Sequence, residues 1–193
     1  MGDRRGRYLR EAGRLRLADG SDLVWSVAEG RRGRRWRAVA SFERAITHAL
    51  LLEIDLAGRP ARLELATPAG MLTLHPEPDE AAIHGNVVSG AGVRPLAFPW
   101  SRDHEFDVVG RPIALSIGLH RRRHDWPIGG VVSLAVLAID AGLLVAPGRR
   151  TVTRLDERRW RIVDPESATA AERTLALDAD GLPVSDERWP LEP

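Results

Sequence analysis

Three side chains in the second half of the chain have the types that acyl transfer requires. Ser116 lies in Ala114-Leu115-Ser116-Ile117-Gly118, one residue away from a nucleophile elbow, with Asp107 before it and His120 after it. The elbow works because its serine sits on a sharp strand-to-helix turn, where the hydroxyl can reach a base. Here Ile117-Gly118-Leu119-His120 and three arginines read as the continuation of a strand, so Ser116 is expected to be an ordinary strand residue. A serine hydrolase using Ser116, His120 and Asp107 is the enzymatic alternative; the primary reading assigns no catalytic residue.

Other chemistries find less support. His120 and His124 are four residues apart with Asp125 adjacent, a spacing that aligns two imidazoles on a helix. Three arginines between them oppose a dication, so no metal is expected. Asp178 and Asp180 before Gly181 resemble the start of a calcium loop without its later ligands, and read better as a turn. Gly90-Ala91-Gly92 has no third glycine at the required offset, and Pro95 prevents a helix from opening there, which excludes a dinucleotide fingerprint. The chain has no cysteine, hence no thiolate nucleophile or disulfide. It has no lysine either, which removes Schiff-base chemistry and any phosphate loop that needs one. No cofactor is expected.

All 28 basic residues are therefore arginine, and the net charge of +1 conceals an asymmetry. Residues 1–37 hold 11 arginines and 5 acids, whereas the remainder is acidic. Arg34-Arg35-Trp36-Arg37 and Arg158-Arg159-Trp160-Arg161 could stack and pair with nucleic acid. In strands, however, Trp and Arg would face opposite sides, so buried indole with surface arginine is the reading adopted and no nucleic-acid partner is expected. Six of the ten aromatics are tryptophan, a residue suited to cores and to cavities for amphiphiles. Trp100 after Phe98-Pro99 and Trp126 before Pro127 fall in irregular segments, and are expected at a pocket mouth.

The elements that must position these residues are strands. Leu50, Leu52, Ile54 and Leu56 alternate with polar residues, as do Leu63 with Leu65 and Leu72 with Leu74, with turns at Ala57–Pro60 and Thr67–Gly70. Similar alternation places strands at 14–17, 23–27, 36–42, 151–155, 160–163 and 174–177. The apolar run Val131–Ile139 is rich in β-branched residues and reads as a buried strand. Asp164-Pro165-Glu166 resembles a helix start, which predicts a short helix over 165–173. The fold expected is mainly β: a single strongly curved antiparallel sheet forming an incomplete barrel, with one or two short helices, as one domain over residues 1–193. No apolar run reaches membrane-spanning length and no apolar segment follows the basic start, so a cytoplasmic protein without stable membrane insertion is expected.

The order of these features resembles a bacterial family of unknown function assigned to glycolipid binding. The resemblance rests on Ser26–Glu29 with Arg35-Trp36-Arg37-Ala38, Leu51–Asp55 with Arg62–Leu65, His84-Gly85-Asn86, and Phe106-Asp107-Val108 leading to His120-Arg121. It continues through Leu144-Val145-Ala146-Pro147, Thr151–Trp160, and Leu175–Leu182 followed by Trp189, and so spans about residues 20–190. Val109-Gly110-Arg111-Pro112 stands where the family has a Thr-Pro-rich stretch, and Val152 where it has an aromatic. The resemblance implies a lipoprotein-carrier-like half-barrel over an apolar cavity that binds a glycolipid or fatty-acyl compound without chemistry. Trp100, Trp126, His84, Asn86, Asp107, His120 and Trp36 form the expected ligand-binding set. The third reading is a purely structural or partner-binding domain whose sheet face is fully packed.

Overall fold

The computed structural model describes residues 10–79, 81–165 and 172–184. Eight antiparallel strands come first, as a meander: β1 Arg10–Arg16, β2 Asp22–Gly30, β3 Gly33–Phe42, β4 Ala45–Ile54, β5 Pro60–Thr67, β6 Gly70–Pro76, β7 Ala82–Ser89 and β8 Gly92–Pro99. Then follow β9 His104–Val108, a single helix α1 Pro112–Arg121, β10 Val131–Ile139, β11 Val145–Arg154, β12 Arg159–Val163, β13 Glu172–Leu177 and β14 Pro183–Val184. The mainly β fold matches the expectation. Its strands divide into two ladders, an eight-stranded sheet in chain order and a six-stranded sheet ordered β14-β13-β12-β11-β10-β9. One pairing, β9 with β10, is parallel, because α1 carries the chain across between them.

Alternation explains the first sheet. Leu50, Leu52, Ile54, Leu63, Leu65, Leu72 and Leu74 are all buried on one face. Leu56, expected on that face too, is 76% exposed, because β4 ends at Ile54 and Asp55 folds the chain into a turn. Pro95 lies in β8, an edge strand, where a missing N–H is tolerated. Val131–Ile139 is a strand, as its composition suggested.

The region around Ser116 differs from the sequence reading. It is the helix α1, opened by Pro112 in its first turn, and not a strand continuation. Every residue from Ile113 to Leu119 is buried. Ile113, Ala114 and Ile117 join the inner face of the first sheet, together with Phe106 and Val108 of β9 and Leu137 and Ile139 of β10. Leu115 and Leu119 join a second core with Trp126, Leu134, Val136, Val152 and Trp160. A helix buried on all sides has no polar stripe, so its 3.6-residue period leaves no trace in the hydropathy. The helix expected over 165–173 falls largely on 166–171, outside the described residues; Glu172 and Arg173 at its end belong to β13. No helix among the described residues is long and apolar enough to cross a membrane.

Candidate functional site

The inner face of the eight-stranded sheet is filled. Leu63, Leu65, Leu72 and Leu74 are fully inaccessible, covered by α1, β9 and β10. A wide hollow lies elsewhere among the described residues, where β1, the N-terminal end of α1 and strands β12–β14 meet. It is a groove of about 600 Å³, inside the usual size range of small-molecule sites. Leu15, Leu17, Leu115, Ile162, Leu175 and Val184 supply its apolar walls.

Its polar floor is built around Asp107. The β9 backbone holds this carboxylate 1% exposed, on the face opposite Phe106 and Val108. Arg150 of β11 donates from Nε to Asp107 Oδ2 at 2.7 Å, and Arg173 of β13 donates from Nη2 to Oδ1 at 2.6 Å. Arg150 also gives Nη1 to the Arg149 carbonyl and lies 3.2 Å from the Asp164 carboxylate. A buried carboxylate is tolerated only when paired in this way. At the helix end, Arg111 precedes Pro112 and lines the same groove. Its Nε donates to His48 Nδ1 at 2.8 Å, and its Nη1 to Asp19 at 2.7 Å. Burial, reinforced by the Arg111 charge, pulls the His48 pKa down to about 4, so the ring is neutral, and the Arg111 donor selects the tautomer in which Nδ1 accepts. Burial works against ionisation of Asp19, but hydrogen bonds from Ser21 and Arg111 outweigh it and bring that carboxyl to about 2.

Of the seven residues expected to bind ligand, only Asp107 lines this groove. Trp36 and His120 share a separate cleft of about 260 Å³ at the other end of α1. There the His120 pKa falls to about 4, through burial and the charges of Arg123 and Arg34. Trp100 borders a third hollow of about 220 Å³ and stacks on His104 with centroids 5.2 Å apart. Trp126 is not at a mouth: it packs edge-on against Trp160 at 5.7 Å in the second core. His84 and Asn86 point away from the core on β7, with His84 Nε2 2.7 Å from Glu77. Arg150, Arg173 and Arg111 are the groove residues that the sequence reading missed. Arg150 carried a signal, since it is in phase with Val152, a fully buried strand residue.

The hydrolase residues do not assemble. Ser116 is buried in mid-helix and its hydroxyl donates to the Ile113 carbonyl at 2.8 Å. Both Asp107 oxygens accept from arginines instead of orienting a histidine. Among the described residues, no group of three or more His, Asp or Glu converges as a metal site.

No family model matches the chain, and no curated protein matches it. Among solved structures, the chain is similar to a crystal structure, at 1.80 Å resolution, of a DUF1089 family protein from Pseudomonas aeruginosa. The TM-score is 0.53 at 19% identity, over 93% of this chain and 88% of that one. This likeness is one of fold: a mainly β chain sharing the course of that protein's backbone.

Proposed function

We propose that the protein binds an amphiphile, such as a glycolipid or a fatty-acyl compound, without transforming it. The observation that carries this reading is the groove, an apolar trough of about 600 Å³ that ends on the buried Asp107 carboxylate and its two arginine partners, Arg150 and the part-exposed Arg173. An acyl chain would lie against Leu15, Leu17, Leu115, Ile162, Leu175 and Val184, with its polar end toward the arginines. The seat of the chain is therefore this groove and not the packed inner face of the first sheet. Each methylene buried contributes about 0.8 kcal/mol, so lengthening a chain by two carbons should tighten binding roughly tenfold until the trough is full.

Thermal unfolding with a homologous series of acyl compounds tests this. Ligands that bind the folded state raise the melting temperature by linkage, and the rise should grow with chain length and then level off. Leu175→Trp, which fills the trough, should abolish it. None of the five described tryptophans lines the groove, so in a Trp189→Phe background emission should stay nearly constant during the titration. Absence of any melting shift across the series, with no co-purified small molecule in native mass spectrometry, would leave the structural-domain reading in its place.

A further inference from the structure

We infer that the occupant of the groove carries an anionic head group, a carboxylate or a phosphate, seated on Arg173 and Arg111. This rests on the amphiphile reading above and adds the charge of the ligand. Both guanidiniums have donors left over. A guanidinium has five N–H groups. Arg173 gives one to Asp107, and its Nε and Nη1 bond to no described residue although the side chain lines the groove and is 34% exposed. Arg111 commits Nε to His48 and Nη1 to Asp19 and the Gly110 carbonyl, leaving Nη2 without a partner among the described residues. The inner carboxylates are already engaged: Asp107 by Arg150 and Arg173, Asp164 by Arg150. Glu172 stands exposed at the start of β13, where water screens it. The same wall includes the first turn of α1, which holds no acidic residue and no capping side chain and so adds positive potential. Two planar forks with unspent donors, next to an apolar trough, match the oxygens of an acid on an alkyl chain.

Four probes separate the possibilities at pH 8 and low salt, below micelle-forming concentrations: decanoate, decyl phosphate, decanol and inorganic phosphate. Decanoate and decyl phosphate should raise the melting temperature at concentrations at least tenfold below those needed for decanol. Inorganic phosphate alone should do little. Arg173→Gln should bring the acids to within about threefold of decanol while leaving the decanol response intact, and Arg173→Lys should retain part of the preference. If decanol matches the acids in the parent protein, the anionic head is wrong while the amphiphile reading stands. If inorganic phosphate acts as strongly as decyl phosphate, the groove is an anion site without an acyl seat, and the inference fails in that form. If none of the four shifts the transition, both readings fall together.

Discussion

His48 shows how one buried side chain ties the groove to pH. It is 5% exposed and accepts from Arg111, an arrangement that requires the neutral imidazole. Its folded pKa, about 4, lies below the ordinary 6.5. Between those values the unfolded chain binds more protons than the folded one, so stability falls as the pH drops from about 6.5 toward 4. His120 is depressed in the same direction and adds to the slope. Thermal melts from pH 4 to 8 should show this loss. His48→Gln, which keeps an acceptor for Arg111, should flatten the curve to the part supplied by His120 and by His104, whose pKa burial also lowers; an unchanged slope would remove His48 from the account. Part of this site is visible in the sequence. Asp107 stands out as an acid among the apolar residues of Phe106-Asp107-Val108. Its partners are hidden, since Arg150 and Arg173 are 43 and 66 residues away and look like two more arginines in an arginine-rich chain. His48 sits 63 residues from Arg111, and pairing of that kind is set by topology alone.

At the scale of elements, α1 is held by a glycine that helix propensity argues against. Replacing glycine by alanine in a helix interior ordinarily gains about 1 kcal/mol. At Gly118 a Cβ would lie 2.4 Å from Cδ of Glu105, a carboxylate buried against the helix and paired with Arg121 and Arg122. Burial pushes the Glu105 carboxyl up although two guanidiniums favour its charge, so this acid has little room to move and little water to move into. Gly118→Ala should therefore destabilise by about 1–3 kcal/mol, as overpacking does. In a Glu105→Ala background the same change should be neutral or favourable. Urea unfolding of the four proteins of this cycle measures the coupling, and additivity would refute the steric account. The strands were legible because one face is wet and the period of two survives in the hydropathy. The helix was not, because both its sides are dry. The turn between β3 and β4 was also hidden: Glu43 and Arg44 adopt positive φ without the glycine or asparagine that usually marks such a position.

At the scale of the whole molecule, α1 and β10 each serve two cores. Ile113 and Ile117 face the first sheet while Leu115 and Leu119 face the second core. Likewise Leu137 and Ile139 of β10 join the first core, and Leu134 and Val136 the second. Neither core can open without exposing residues of elements that the other depends on, so the two should unfold in one transition. The tryptophans provide separate reporters. Trp25 and Trp36 pack together at 5.9 Å in the first core, and Trp126 with Trp160 in the second. Two variants, each retaining one pair and carrying phenylalanine at the remaining tryptophans, should each give the same urea midpoint by fluorescence as by circular dichroism. Ile117→Ala and Leu119→Ala, which touch different cores, should each cost about 2–5 kcal/mol of unfolding free energy, as truncating a large buried aliphatic side chain does, and so lower the midpoint seen by both reporters. Agreement between the reporters would mean that the groove, whose walls draw on β1 and α1 as well as β12–β14, persists only while the whole chain is folded. Midpoints that separate, or a substitution felt by one reporter alone, would show that the two sheets are independently stable and that α1 does not couple them.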